Sequence, residues 1–374
     1  MAPSDWHFPR REFTHSVFVT LTQGPAPALR LFGPRRTGKT EFLQRDLGHM
    51  AAEVYGHRVL YASFWQASAA PLALLLYACD LALRPQSFPE RLLTWTQTPP
   101  VKIRLGSLKG LAGIEIDLGQ RQSARPADEL LLLDQHLDRL ADAKRPALLL
   151  LDEVQELVSH PQGAEIMAGL RTSLDRRREG LRTVFTCSSQ VGLNKVFSAR
   201  NAPLYRFAAP LHLPPMGAEF VEHQLKVFHG VYRRTLDRET ALGFFERFQG
   251  NPMFFQRWLT ALGLSPHLSE ADAAQQTAQD LAADLEFDRK WLELEAGHRA
   301  MARILAERVA DPFGAGGAAR YAALTGGDAP IPQTRQSYLR TLLRRGIADQ
   351  WEGEWRISDP VFEVWIKERG ADDF

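Results

Sequence analysis

The chain has only two cysteines in 374 residues, Cys79 and Cys187, with no Cys-x-x-Cys and no Cys/His ligand spacing. This excludes a disulfide framework and a cysteine zinc module, and makes a reducing cytoplasm the expected compartment. Long hydrophobic runs are also lacking. The longest, Ala69 to Cys79, is too short to cross a bilayer. The opening residues, Met1 to His7, carry no basic stretch leading into an apolar one, so the chain reads as soluble, unprocessed and without a membrane partner. Charge of one sign is not in excess: 45 Lys plus Arg stand against 44 Asp plus Glu, a net of +1. Binding nucleic acid through overall charge is therefore excluded, and any such case rests on a local patch. H-E-x-x-H, G-x-S-x-G and cysteine–histidine nucleophile signatures are missing. Asp134-Gln-His136-Leu-Asp138 is no metal set, because i, i+2 positions do not share a helix face.

What remains is a composition of 45% hydrophobic and 24% charged residues, ordinary for two or three globular domains. Five short apolar runs bounded by turn or charged residues read as buried strands: Ala28 to Phe32, Val59 to Phe64, Ala147 to Leu151, Thr183 to Cys187 and Pro210 to Leu213. Helical spacings lie between them, as in Phe42, Leu43, Leu47 and Met50, and in Leu130, Leu133, Leu137 and Leu140. Strands alternating with helices predict an α/β fold, a parallel sheet covered on both faces. Val101 to Leu118 alternates as a hairpin around Gly106 to Gly113, an insertion over 101–119. After Leu213 the strands give way to helical segments with boundaries at Gly217, Gly230 and Gly250, and an acidic Ala/Gln-rich stretch, Ser269 to Glu295, acts as a spacer.

Gly33-Pro34-Arg35-Arg36-Thr37-Gly38-Lys39-Thr40 fits G-x-x-x-x-G-K-[ST], directly after one strand and directly before a helix. The mechanism requires this context. Glycines let the backbone fold round an anion, and amide N–H groups at a helix N-terminus supply positive potential. Lys39 is expected on the β and γ phosphates of ATP and Thr40 on Mg²⁺. The loop through Glu41 is the expected nucleotide-binding set. The run Ala147 to Leu151 ends in Asp152 and Glu153. Asp152 is the second candidate metal-holding group, and Glu153 the candidate base for the attacking water, which favours hydrolysis over simple binding. The run Thr183 to Cys187 ends in Ser188 and Ser189, either of which is a candidate γ-phosphate sensor.

These residues resemble the archaeal ATPase group of the AAA+/STAND phosphate-loop NTPases. The matching stretches are Leu31 to Thr40, Leu150 to Gln155, Phe185 to Ser189, Pro203 to Arg206, Gly250-Asn251-Pro252 and Arg356 to Phe362. The resemblance implies sheet order 5-1-4-3-2, a helical lid and a C-terminal winged helix. It places Pro252 near the nucleotide base; Asn251 and Pro252 are in any case good N-cap and first-turn residues. It further implies an arginine finger from a neighbouring subunit, with Arg206 ranked ahead of Arg200. The cluster Arg171, Arg176, Arg177, Arg178 and Arg182 competes but reads as a solvated helix face. Two departures stand out. Only Pro9-Arg-Arg-Glu12 partly matches an upstream Gly-Arg-Glu, and Cys187 replaces the glycine of a Gly-Ser-Ser strand end.

Three amphipathic segments, around Ile304-Leu305, Tyr321 to Leu324 and Tyr338 to Leu343, are followed by a hairpin about Glu352-Gly353, which together read as a winged helix. Phe313 to Ala319 reads as a loop. In the third helix Leu339, Leu342 and Leu343 mark the buried face, Arg335 falls near it, and Arg340 and Arg344 share the opposite one as candidate DNA contacts. The expected layout is a nucleotide domain over 1–213, a lid over 214–287 and a winged helix over 288–374. The favoured expectation is an ATP- and Mg²⁺-dependent switch that binds ATP and ADP and relays its state to a protein partner or a second copy. The alternatives are an ATP-dependent DNA-associated protein and a scaffold that binds ATP without hydrolysing it.

Overall fold

An apolar five-residue run ahead of a phosphate-loop pattern predicts a strand, and Ala28–Phe32 is one. The computed structural model describes residues 3–33, 36–84, 126–188, 190–198, 200–284, 286–351 and 353–369. The expected hairpin over 101–119 lies outside the described residues, as do Pro34, Arg35 and Ser189. Two compact units emerge: Pro9–Gly33 with Lys39–Leu213, and Met1–Phe8 with Pro34–Gly38 and Pro214–Phe374.

The first unit opens with α1 (Arg11–Thr22), followed by β1 (Ala28–Phe32) and α2 (Lys39–Glu41), which continues as wider i→i+5 turns over Phe42–Gly48 and Met50–Val54. Next come β2 (Val59–Ser63), α3 (Pro71–Leu83), α4 (Pro126–Leu140), β3 (Ala147–Asp152), α5 (Gly163–Arg176), β4 (Leu181–Cys187) and β5 (Ala209–His212). The strands pair in parallel in the order β2-β3-β4-β1-β5. This is the expected 5-1-4-3-2 arrangement.

Every residue of β3 is buried, because helices cover both faces of the sheet. On one face Val17, Phe18 and Leu21 of α1 and Phe42, Leu43 and Leu47 after α2 close over Leu29, Leu31, Leu148, Leu150 and Val184. Edge strand β5 is largely exposed and tolerates Pro210, whose missing N–H would break a central ladder. Helices α3 and α4 pack together, as do α4 and α5. Arg177 follows α5 and makes a two-point ion pair with Asp134 at 2.7 and 3.0 Å, and its Nε reaches Asp138 at 2.9 Å. Arg176 also faces Asp134, at 3.5 Å. The expected solvated face thus contains a structural ion-pair cluster, because Asp134 and Asp138, four apart on α4, lie on one face. His136 leaves that face and meets Asp80 at 2.8 Å. Among the described residues no group of three or more His, Cys, Asp or Glu is placed to hold a metal.

The second unit is helical: α6 (Ala218–Tyr232), α7 (Arg238–Arg247), α8 (Pro252–Leu264), α9 (Glu270–Asp284), α10 (Phe287–Leu292), α11 (Ala296–Ala306), α12 (Ala315–Thr325) and α13 (Pro332–Arg344). An antiparallel hairpin of β6 (Ala348–Trp351) and β7 (Glu354–Ile357) leads into α14 (Pro360–Lys367). The hairpin turns at Gly353, φ +89°, a left-handed backbone that suits glycine. Asn251 caps α8 as expected, accepting from the Met253 N–H at 3.1 Å with Pro252 in the first turn. Trp258 is fully buried and stacks on Phe244 at 5.0 Å between ring centroids, so this aromatic run is core.

Three expectations need correction. Gly230 does not end a helix; α6 runs on to Tyr232 and stops at Arg233, φ +56°. The acidic stretch Ser269 to Glu295 is not a spacer. Ala273, Thr277 and Leu281 recur every fourth residue and form a buried stripe on α9, while Phe287 and Trp291 enter the same core as α8 and α14. Most of the supposed loop Phe313 to Ala319 is the start of α12. There Gly317 packs so closely that a Cβ would lie 2.1 Å from the Pro312 carbonyl oxygen. No described helix is long and apolar enough to cross a membrane.

Candidate nucleotide site

Parallel register decides which side chains meet. Phe32 pairs with Cys187 and Leu151 with Phe185, so Gly33, Asp152, Glu153 and Ser188 all reach the C-terminal edge of neighbouring strands. Open α/β sheets bind ligands at that edge.

Asp152 is the hub. It is 2% exposed and accepts from Thr40 Oγ1 at 2.8 Å, from the Tyr61 hydroxyl at 3.0 Å and from Thr186 Oγ1. Burial pushes its carboxyl pKa up. The Thr186 hydroxyl counters this, the neighbouring Glu153 charge adds to it, and Thr40 and Tyr61 counter it further. The Tyr61 phenol is raised by burial and by the Asp152 charge, so it remains a donor. Lys39 is also buried and donates from Nζ to the Gly33 carbonyl at 2.7 Å, closing the loop on itself around Gly38, φ +88°.

Glu153 takes a left-handed backbone, φ +59°, ψ +47°, which is uncommon for a non-glycine residue. Its N–H donates to Thr186 Oγ1 at 2.9 Å, and that bond holds the turn. Gln155 Nε2 donates to Glu153 Oε2 and to Ser188 Oγ, the latter at 3.2 Å. Gln155 Oε1 is buried with no hydrogen-bond partner among the described residues. A polar chain therefore runs Glu153–Gln155–Ser188, and Thr186 bridges Asp152 to Glu153. Cys187 preserves the strand, which continues through it; burial raises its thiol pKa and the Glu153 charge adds to the rise.

Of the expected residues, the structure brings Lys39, Thr40, Asp152, Glu153 and Ser188 together in the first unit. Glu41 is not in this cluster; it is half-exposed and paired with Arg45 at 3.0 Å. Arg206 is exposed at φ +53°, over the Tyr205 ring, with no described bond to the cluster. Arg10, the partial match upstream, is lowered to about 10 by burial, with Asp46 opposing. Arg36, at φ +67°, donates to Asp359 at 3.3 Å within the second unit. In that unit Pro252 starts α8, Arg335 is buried with its guanidinium on the Phe313 and Gly314 carbonyls, and Arg340 and Arg344 are exposed.

Sequence reasoning missed Tyr61, Thr186 and Gln155 as members of the site. A threonine next to the last residue of a strand whose final five residues are all buried was the available signal for Thr186. Tyr61 had none, since its role arises from pairing β2 with β3.

The same fold occurs in solved structures. A Walker-type ATPase of Pyrococcus abyssi superposes with a TM-score of 0.65 at 16% identity, covering 96% of both chains. The chain shares the fold of this Walker-type ATPase. The ORC2 protein of Aeropyrum pernix in its ADPNP–ADP complexes gives 0.58 at 17% identity over 98% of this chain and 96% of that one. Its ADP form gives 0.56 at 15% identity, covering 96% of both. No family model matches the chain, and no curated protein does. At such identities the likeness is one of fold, and the chemistry of this chain rests on its own residues.

Proposed function

We propose that the chain is an ATP-binding, Mg²⁺-dependent ATP hydrolase that acts as a molecular switch. The observation that carries this reading is the buried cluster in which Thr40 and Glu153 converge on Asp152 and Thr186. A buried carboxylate beside a hydroxyl is a hard oxygen donor set, which fits Mg²⁺. Thr40 and Asp152 would hold the ion, which when bound neutralises phosphate charge. Lys39 exchanges the Gly33 carbonyl for phosphate oxygens, and the loop from Gly33 to Thr40 offers its N–H groups to the anion. Glu153, its backbone held by Thr186 and its carboxylate by Gln155, takes the proton of the attacking water. Ser188 is joined to Glu153 through Gln155, so a change at the γ-phosphate is felt at the base. The solved A. pernix ORC2 forms, with ADP and with ADPNP and ADP, support nucleotide as the ligand.

In this reading 1–213 is the nucleotide domain, 214–287 a lid whose Pro252 approaches the base, and 288–374 a winged helix that passes the state to a protein partner or second copy. Arg206 is the residue we assign to reach a neighbouring subunit's γ-phosphate, because it is exposed and uncommitted to the cluster. The deciding experiment compares nucleotide binding and phosphate release in two variants. Lys39→Ala should abolish binding, and Glu153→Gln should bind ATP yet fail to hydrolyse it. Unchanged affinity in the first, or unchanged turnover in the second, overturns the reading. Binding without turnover in the wild type leaves a nucleotide-binding scaffold.

A DNA-associated role is the second reading, favoured by one observation: Arg340 and Arg344 are exposed on α13. Two phosphate contacts give a salt slope of only about −2, a modest footprint.

A further inference from the structure

The Arg36 side chain is held by a group outside the phosphate motif. Its Nη1 donates to Asp359 Oδ2 at 3.3 Å, and its guanidinium lies 5.7 Å from the centre of the Phe254 ring. Both charged side chains are less than a third exposed. Asp359 cannot follow Arg36 elsewhere. Its other oxygen, Oδ1, caps α14 by accepting from the Val361 N–H at 2.9 Å and the Phe362 N–H at 3.5 Å. Helix α14 is itself fixed in the core through Val361, Phe362 and Ile366. One carboxylate thus serves two tasks, with one oxygen for the cap and one for Arg36.

The electrostatics of this pairing are one-sided. The N-terminus of a helix presents partial positive charge, so a guanidinium beside it is repelled by the helix and retained by the carboxylate. Arg36 is also a loop residue of the anion-binding motif, three positions before Lys39. A phosphate group arriving at this loop and the Asp359 carboxylate seek the same cation, and Arg36 adopts one geometry at a time. We propose that Asp359 is an internal competitor of nucleotide phosphate for Arg36, a positioning residue that sets nucleotide affinity from the C-terminal segment. This deepens the nucleotide reading above and rests on it. Phosphate binding draws Arg36 off Asp359, and α14 loses a cation at its cap while keeping its capping bonds. Occupancy of the loop is thereby registered at the start of the last helix.

Asp359→Asn tests this cleanly, because asparagine keeps the capping oxygen and removes the charge. ADP titration of the full chain should show affinity rising about two- to fivefold, the range that a partly exposed ion pair supports. Arg36→Ala should bind ADP more weakly, and Asp359→Asn added to it should bring no gain. Asp359→Ser, a second uncharged cap, should reproduce the rise and guards against a fold-specific effect of asparagine. Unchanged or weaker ADP binding in both cap variants overturns the proposal, as does a gain that persists when Arg36 is absent. ADP binding that depends on Lys39 but ignores residue 359 refutes the competitor alone. Absence of Lys39-dependent binding refutes the nucleotide reading and the competitor with it.

Discussion

Replacing Thr186 by valine would test the hub of the site while changing little of its shape. The side chain is fully buried, and its hydroxyl accepts from the Glu153 N–H and donates to Asp152. Without it, a buried N–H lacks a partner at a cost of about 1–3 kcal/mol, and a charge-assisted bond worth about 1.5 kcal/mol is lost. The added methyl returns about 1 kcal/mol. The net destabilisation is about 1.5–3.5 kcal/mol, a fall of roughly 3–14 °C in the melting temperature for a unit of this size. The functional effect should be larger. Freed from its bond, Glu153 can leave the left-handed conformation, and displacing a base by about 1 Å costs on the order of 100-fold in rate. Thermal unfolding, ADP titration and steady-state phosphate release together separate the effects. A variant that melts lower, binds ADP within about threefold of wild type and hydrolyses ATP about 10–100 times more slowly bears out the reasoning. A variant that turns over at the wild-type rate refutes the role of Thr186 in holding the base, and an unchanged melting temperature refutes the bond accounting.

Gln155→Ala should lower kcat about tenfold or more with little change in KM, because it unties Glu153 from Ser188 without touching Lys39 or Thr40; equal loss in both parameters would contradict this. Arg177 holds the Asp134 carboxyl down to about 2, below its unfolded value, so the pair stabilises the fold above about pH 4 and loses that contribution as pH falls toward 2. The melting gap between wild type and Asp134→Asn should accordingly be widest at neutral pH and narrow by pH 2.5–3; a gap that grows on acidification would reverse the sign. Arg340→Ala with Arg344→Ala should abolish any salt-dependent duplex binding, and duplex binding that survives both changes would place the DNA contact elsewhere.

Legibility in the sequence followed chemistry. The five strands were readable because each is a short apolar run between turn residues; the largest error was two residues, at the start of β4. The clustering of Lys39, Thr40, Asp152 and Glu153 was readable because each lies just beyond the end of an apolar run, and parallel strands bring those ends to one edge of the sheet. Buried Arg335 was legible from helical phase. The segment 269–295 misled because acidic and alanine-rich composition resembles a spacer, while the three inward positions that make α9 a core helix are hidden in its period.

By itself, the sequence determined the order of the strands, the Gly33 to Thr40 loop pattern and the paired carboxylates, since these depend on neighbours within a few residues. Only the tertiary structure decided what each of those groups touches. Tyr61 and Thr186 meet Asp152 because β2 and β4 flank β3, and Arg36 meets Asp359 across more than three hundred residues of chain. Local patterns carry no information about such pairings. They arise because a buried carboxylate must find donors wherever the packed sheet supplies them, and a partly buried arginine is retained by whichever fixed charge the fold brings within reach.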